Sequence, residues 1–382
     1  MSNRVVRHLT DLSRRERAPG IALAAATLIA LVWANLWGPS YRDVAETARH
    51  VVNEGVMSAF FLLVGLEIRR EIVAGELGSV RRAVPPVVAA VFGMAVPGLI
   101  YAAVVRRGPG GNGWGIPMAT DLAFALGAMA LVDADLSLRA RTFLLTLSVA
   151  DDVFSIVVLI VFYGGKFDPV PVAGGAVALA TIVVAHRTHH FEIPVAALAG
   201  TVAWFAFSRG GIEPAIVGLP VGLLLPHRGT GRLGPRHLER ALQPWVVLAV
   251  LPVFAVVNIG VRFDRSVLTT GGAGTIFLAV LLARVVGKPL GIGAAVIVLR
   301  AAHRDPKVDT GHLLSAGSLA AAGLTVPLLV VELALPDGPQ ADAARAALLV
   351  ASVIAVVVGW IVHAIAERRR SWVVSVPRRA PN

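Results

Sequence analysis

The run V-A-D-D-V-F-S-I places two adjacent carboxylates, Asp151 and Asp152, in the middle of an otherwise apolar stretch. A carboxylate held away from water can take a proton or a hard cation, but does not hold both well. At the centre of a membrane helix each aspartate costs about 2.5–3.5 kcal/mol to insert, so the pair must face a partner, a cavity or a proton. The pair is therefore a candidate site for cations and protons. The alternative is a structural role in pairing helices.

Few other ionisable residues interrupt the apolar stretches. Lys288, in V-V-G-K-P-L-G-I, is the only central cation that the pattern predicts, and Asp121, in M-A-T-D-L-A-F, is a further central carboxylate. Nearer the predicted ends of apolar stretches lie Glu54, Glu213, Arg284 and Glu332. Adjacent helical residues point about 100° apart, so Asp151 and Asp152 have different partners. We expect Lys288 to pair with one aspartate and leave the other for an external ion; alternatively, Lys288 extends to the membrane interface.

The composition predicts a polytopic membrane protein. Of 382 residues, 56% are hydrophobic and 15% charged, with a mean hydropathy of +0.74, whereas soluble proteins carry about 25% charged residues. The absence of cysteine excludes disulfides and thiolate metal sites. The net charge of +11 would suit nucleic acid, but the arginines lie in short loops between apolar runs. The expected partner is therefore the lipid bilayer, not nucleic acid.

Apolar runs of roughly 18–25 residues, each long enough to cross about 30 Å of hydrocarbon as a helix, recur along the chain. The predicted spans are 19–36, 52–67, 83–105, 115–131, 140–163, 168–186, 192–208, 212–226, 243–261, 273–299, 311–334 and 342–364. They form one transmembrane domain, 19–366, between tails at 1–18 and 367–382. Most of the 35 Lys and Arg residues lie on one side, which predicts that both termini are cytoplasmic.

Spans three to five and ten to twelve carry polar interruptions in the same order. The first trio starts from the cytoplasm and the second from outside, so the two are related by inversion if they are related. Each middle span is interrupted, by Pro117, Thr120 and Asp121 in span four and by Gly323, Thr325 and Pro327 in span eleven. Broken helices at matching positions of inverted repeats indicate a transport site near the midplane.

Five blocks of sequence resemble the NhaA family of bacterial Na+/H+ antiporters, in the family's order. They are F-F-L-L-V-G-L-E-I-R-R-E (60–71), M-A-T-D-L-A-F-A-L-G (118–127), A-D-D (150–152), L-E-R-A-L-Q-P-W-V-V-L-A-V-L-P-V-F-A (238–255) and V-V-G-K-P-L-G-I (285–292). The resemblance implies an all-α fold of twelve helices in which spans four and eleven are interrupted and cross. It further implies a transporter, not an enzyme, without a cofactor. That transporter would exchange Na+ or Li+ for H+ across the bacterial cytoplasmic membrane, for pH and sodium homeostasis.

The resemblance also implies roles for single residues. Asp152 matches the main cation ligand, and Asp151 lies beside it. Thr120 and Asp121 match residues at the crossing, and Lys288 matches the lysine that pairs with the first aspartate.

A second group of residues matches the family's pH-responsive cluster: Glu67, Arg70, Glu71 and Glu239. The spacing of the first three residues predicts an exposed charge network at the end of span two. The alternative is a solvated helix end without function, since surface ion pairs are usually worth under about 1 kcal/mol.

The chain departs from the family pattern at several positions. Arg240 and Gln243 occupy positions where members often have histidine, so pH activation is expected to be shifted or set by carboxylates. The outer loop 34–50 is too short for the β-hairpin that pairs subunits in some members, which leaves a homodimer open. Phe154 and Ser155 replace the usual Gly-Ala, and G-L-T-V-P replaces G-F-T-M-S in span eleven. Ion selectivity and rate are therefore open.

Other classes of protein fit the sequence less well. An intramembrane aspartyl protease places its aspartates on two helices within Y-D and G-x-G-D signatures, which this sequence lacks. A passive cation channel requires rings of charge or carbonyl groups around an axis. The remaining alternative is a sodium-coupled solute symporter, because a broken-helix site could also hold an organic anion.

Overall fold

The computed structural model describes residues 2–106, 108–121, 138–188, 192–225, 235–262, 269, 271–303 and 310–375, and no strand occurs among them. The α-helices in chain order are α1 (Ser2–Leu36), α2 (Gly38–His50), α3 (Met57–Ala74), α4 (Val80–Val105), α5 (Leu138–Phe162), α6 (Pro169–Thr188), α7 (Glu192–Arg209), α8 (Gly218–Leu224), α9 (Pro235–Trp245), α10 (Leu251–Asn258), α11 (Ala273–Leu282), α12 (Lys288–Ala301), α13 (Thr310–Ala320), α14 (Thr325–Ala334) and α15 (Pro339–Ser375). Short 3-10 segments cover Glu76–Gly78, Gly111–Gly115 and Pro214–Val217. The predicted all-α class is confirmed.

Among the described residues, seven helical segments are long and apolar enough to cross a membrane, or eight when the bent pair of α13 and α14 counts as one span. Three further apolar helices, Pro169–Ala185, Ile193–Arg209 and Pro214–Leu224, are shorter. The predicted count of twelve is not confirmed, because these three are shorter than a full span and residues 122–131 of span four lie outside the described residues. The helices expose large apolar side chains, as lipid-facing surfaces do; examples are Leu28, Leu99, Leu198, Ile297 and Val353. The protein is a multi-pass membrane protein.

The segment predicted as an outer loop after span one is largely helical, so that prediction is wrong for Gly38–His50. This helix has proline in its first turn, where no backbone N–H is needed. Tyr41 and Ala45, four residues apart, are buried on one face, and the Tyr41 hydroxyl donates to the carbonyl oxygen of Val256 at 2.8 Å. The polar residues of the other face gave this amphipathic helix the composition of a loop.

Three π-helical segments connect consecutive α-helices: Val51–Val56, Val246–Val250 and Ala283–Gly287. Proline accounts for two of them. Pro252 and Pro289 follow the second and third segments by two residues. Because proline has no N–H, the carbonyl group four residues earlier loses its helical partner and the turn widens. The third segment lies directly before Lys288.

The described parts of the two predicted trios of spans form one bundle in which α4 is central. Helix α4 packs against α5, α11 and α12, and α13 packs against α12 and α15. Glycines let α12 approach α4 closely. A Cβ atom at Gly287 would lie 3.1 Å from the Cα atom of Pro97, and one at Gly291 would overlap the carbonyl oxygen of Phe92. Lys288, next to Gly287, is thereby held against α4.

Candidate functional site

Two interrupted segments meet inside the bundle. Residues 116–121 leave helical geometry, and the second interruption separates α13 from α14, whose axes differ by 46°. A Cβ atom at Gly323 would lie 2.7 Å from the backbone nitrogen of Asp121, so a residue without a side chain is needed at this contact. The second half of the predicted span four, residues 122–131, lies outside the described residues.

The Asp121 carboxylate lies at the N-terminus of α14. Its Oδ2 atom accepts hydrogen bonds from the Thr325 hydroxyl at 2.6 Å and from the Thr325 N–H at 3.3 Å. A helix N-terminus carries a partial positive charge, which a carboxylate stabilises. Pro327 is the third residue of α14 and lies in the first turn, where its missing N–H costs no hydrogen bond. The described contacts of Asp121 therefore cap the facing helix.

Two buried cations cover carbonyl groups at the same interruptions. The Arg284 guanidinium donates from Nε and Nη2 to the Ala321 carbonyl oxygen at 3.0 and 2.7 Å, and from Nη1 to that of Ala119 at 3.3 Å. Lys288 Nζ donates to the carbonyl oxygen of Met118. Both side chains thus bind carbonyl groups that no helix satisfies.

Arg284 corrects two of the predictions from sequence. It was placed near the end of a span, and Lys288 was expected to be the only central cation; both expectations are wrong, because Arg284 is 0% exposed. The signal was its spacing of four residues from Lys288, about one helical turn. Sequence reasoning missed the role because the carbonyl groups that Arg284 binds come from two distant segments.

Asp151 and Lys288 form a buried ion pair. Lys288 Nζ lies 3.1 Å from Asp151 Oδ2, and neither side chain is more than 2% exposed. The second carboxylate oxygen of Asp151, Oδ1, is buried without a hydrogen-bond partner. Lys288 therefore neutralises Asp151 and leaves the Oδ1 atom of Asp151 without a partner.

Asp152 differs from its neighbour. It is 8% exposed and makes no hydrogen bond or ion pair with any residue that the structure describes. A buried carboxylate with no protein partner is costly unless it binds a proton or an ion. Asp152 therefore has the free capacity that a binding site for either requires.

Three buried hydroxyl groups among the described residues also lack hydrogen-bond partners: those of Thr120, Ser148 and Ser155. Thr120 was predicted as a site residue, whereas the two serines were not. Ser148 lies four residues before Asp152 and Ser155 three residues after it, so helical spacing places all three on one face of α5. In the described part of the chain, no group of three or more His, Cys, Asp or Glu side chains is arranged to hold a metal ion. The unpartnered groups are carboxylate and hydroxyl oxygens, which are hard ligands.

A second charged cluster lies at the C-terminal end of α3. Arg70 forms an ion pair with Glu239 of α9, and the Arg70 side chain is 46% exposed. Glu67 is half-buried one turn before, and its charge acts on Arg70, Glu239 and also Asp152. The structure therefore brings three of the four predicted cluster residues together.

The fourth member, Glu71, makes separate contacts. Its Oε1 atom lies 3.1 Å from the hydroxyl oxygen of Thr146 and accepts a hydrogen bond from the Glu76 N–H at 2.8 Å. Thr146 is on α5, five residues before Asp151, so Glu71 links the cluster to the helix that carries the aspartates. Arg240 and Gln243, at the positions of the family histidines, are exposed.

A cavity of about 360 Å³ opens at the opposite end of the α2–α3 segment. Its acidic lining residues are Glu46, Glu54, Glu213, Glu332 and Asp337. Glu54 and Glu67 are thirteen residues apart, which corresponds to about 20 Å along a helix. Leu329 also lines the cavity and lies four residues after Thr325, so the cavity reaches within one turn of the crossing.

Comparisons with known proteins agree with this architecture. The family model described as Na+/H+ antiporter 1 matches residues 10–363. A protein of Vibrio cholerae named Na(+)/H(+) antiporter NhaA is 34% identical over 367 residues, which cover 92% of this chain and 96% of that protein. A Thermobifida fusca protein of the same name is 37% identical over 394 residues and 94% of each chain.

A solved structure supports the fold. The sodium proton antiporter MjNhaP1 from Methanocaldococcus jannaschii at pH 8 superposes with a TM-score of 0.56 at 16% identity, over 90% of this chain and 89% of that chain. At this identity the likeness concerns the fold alone. The sequence blocks, the match over residues 10–363 and the extent of the relatives together lead to one conclusion: the chain belongs to the Na+/H+ antiporter 1 family.

Proposed function

We propose that this protein exchanges Na+ for H+ across a membrane, with Asp152 as the group for which the two ions compete. The observation that carries the proposal is the contrast between two adjacent buried carboxylates: Asp151 is neutralised by Lys288, and Asp152 has no partner among the described residues. The family and the printed names of the relatives support the choice of ions. They give no support to the symporter alternative.

Exchange follows from competition at one carboxylate. A sodium ion at Asp152 needs the ionised form of the side chain, so its binding releases the proton. Oxygen ligands are available from Asp151 Oδ1 and Thr120 Oγ1, both buried and unpartnered. Li+ is also a hard cation and would use the same oxygens. If only an occupied site can switch between the two faces of the membrane, each cation transported in one direction is matched by protons transported in the other.

The helix interruptions contribute fixed charges around this site. Asp121 lies at the N-terminus of α14, while Arg284 and Lys288 bind carbonyl groups. We infer that these three residues hold the interrupted segments together while the ion passes. The cavity at the far end of α2–α3 would be one approach to the site. Its lining is of mixed charge, since Arg49 is paired with Glu332 and Asp337 there.

We further propose that Glu67, Arg70, Glu71 and Glu239 regulate exchange by pH. Glu67 interacts electrostatically with Asp152, and Glu71 contacts α5 through Thr146. Arg240 and Gln243 occupy the two positions where members of the family often have histidine. The pH response would therefore depend on carboxylates and not on histidines at these two positions.

The location, orientation and assembly of the protein are also proposals. The distribution of Lys and Arg supports an orientation with both termini in the cytoplasm. We propose one transmembrane domain, 19–366, between two cytoplasmic tails, in the bacterial cytoplasmic membrane. A homodimer, if formed, would need a surface other than a hairpin at 38–50, since that segment is helical.

The test uses everted membrane vesicles with a pH-sensitive dye. Addition of Na+ or Li+ alone, without any organic solute, should release protons in the wild type, whereas a symporter would require its solute. Asp152→Asn should abolish the response while the protein still inserts. Asp43→Asn, at an exposed carboxylate on α2, is the matched control and should respond like the wild type. Exchange at the wild-type rate in Asp152→Asn would overturn the assignment.

A further inference from the structure

Ser155 is one of two buried serines, with Ser148, whose hydroxyl has no hydrogen-bond partner among the residues that the structure describes. A helical serine in apolar surroundings usually donates to the carbonyl oxygen four residues before it. Ser318 and Ser352 do so, to Leu314 at 2.9 Å and Leu348 at 2.8 Å. Ser155 is 5% exposed, and its hydroxyl group has no hydrogen-bond partner among the described residues. Because an unsatisfied buried hydroxyl reduces stability, its presence calls for a ligand outside the protein.

The position of Ser155 identifies the place of that ligand. Ser155 follows Asp151 by four residues and Asp152 by three, so it lies one turn further along the same side of α5. Helical side chains lean toward the N-terminus, which directs the Ser155 hydroxyl toward the turn that carries the aspartates. The Asp152 side chain leans the same way, toward the turn that carries Ser148, whose hydroxyl is also unpartnered. The two serines therefore flank the carboxylate on one face of α5.

Ser155 joins a group of oxygens with free lone pairs. The others are the Asp152 carboxylate, Asp151 Oδ1, Thr120 Oγ1 and Ser148 Oγ. All of these potential cation ligands are carboxylate or hydroxyl oxygens. A small alkali cation prefers such a set of hard oxygens. A proton at Asp152 has no comparable need for a neutral hydroxyl, because the proton is held by the carboxylate itself.

We propose that the Ser155 hydroxyl is a direct ligand of the transported cation and sets the affinity of the site for Na+ relative to H+. The proposal rests on the proposed function and adds a specificity-determining residue to the same site. Alanine at this position would leave the cation with one oxygen ligand fewer.

The test is the Na+ dependence of exchange in Ser155→Ala vesicles. The variant lacks one hydroxyl ligand of the bound cation, so its apparent KM for Na+ should rise about tenfold. The maximal rate should change little. The melting temperature of the purified variant should stay the same or rise, because no hydrogen bond within the protein is lost. Ser155→Thr keeps a hydroxyl and should retain a KM close to that of the wild type.

Ser352→Ala is the matched control. Its hydroxyl is buried and hydrogen-bonded, so this variant should lose some thermal stability and keep the wild-type KM. An unchanged KM in Ser155→Ala would overturn the proposal, whatever its melting temperature. Failure of the wild type to release protons on addition of Na+ would instead overturn the proposed function, so the two failures are distinguishable.

Discussion

The pair of Lys288 with Asp151 allows a quantitative test of the buried charges. Lys288 Nζ and Asp151 Oδ2 are 3.1 Å apart. At an effective dielectric constant of about 20, two unit charges at this distance attract each other by about 5 kcal/mol. Removal of one partner of a buried pair costs about 3–5 kcal/mol, because the other charge is left uncompensated. Lys288→Met should therefore destabilise the protein strongly.

The double variant separates the pair from the rest of the side chain. In Lys288→Met/Asp151→Asn neither charge remains, so most of the lost stability should return. The assay compares the unfolding midpoints of the wild type, both single variants and the double variant in one detergent. The expected coupling free energy is above about 2 kcal/mol. Strictly additive single effects, or an unchanged midpoint in Lys288→Met, would refute the pairing as a source of stability.

Two further substitutions test the crossing. Gly323→Ala should lower stability by about 1–3 kcal/mol through overpacking, and it should also slow ion exchange. Gly174→Ala is the control and should be neutral or stabilising, because a Cβ atom there meets nothing within 4 Å. Equal melting temperatures in the two variants would contradict this. Arg284→Met leaves two buried carbonyl groups without their charged donor and should lower the free energy of unfolding by at least about 2 kcal/mol. Arg284→Lys should lower it less. An unchanged thermal midpoint in Arg284→Met would contradict the role of the guanidinium.

The sequence predicted the elements of this site that depend on local pattern. Asp151, Asp152 and Lys288 stood out because they are charges within apolar runs, and each charge had few candidate partners. The interruption at Gly323 was visible in the same way, since Gly and Pro punctuate helices wherever they occur. The NhaA resemblance then assigned these residues to one site before any distance was known.

The sequence did not predict features that depend on distant segments or on the absence of a bond. Arg284 resembled the interfacial arginines in type, and its burial becomes intelligible only with the carbonyl groups of Ala119 and Ala321 in place. Ser155 was visible as an unusual residue, but nothing local showed that its hydroxyl would leave the preceding carbonyl group unused. The helix Gly38–His50 was missed because its polar face has the composition of a loop.

The charges at the crossing have a consequence for leakage. Among the described residues there, Asp121, Asp151 and Asp152 carry three formal negative charges, and Arg284 and Lys288 carry two positive charges. The empty site thus has a net charge of −1, and a single monovalent cation or proton at Asp152 brings it to zero. Because exposing net charge to hydrocarbon is costly, we expect the neutral, occupied protein to switch sides readily and the empty one to stay where it is. The arginine and lysine that hold the broken helices together would thereby also couple the two ion fluxes.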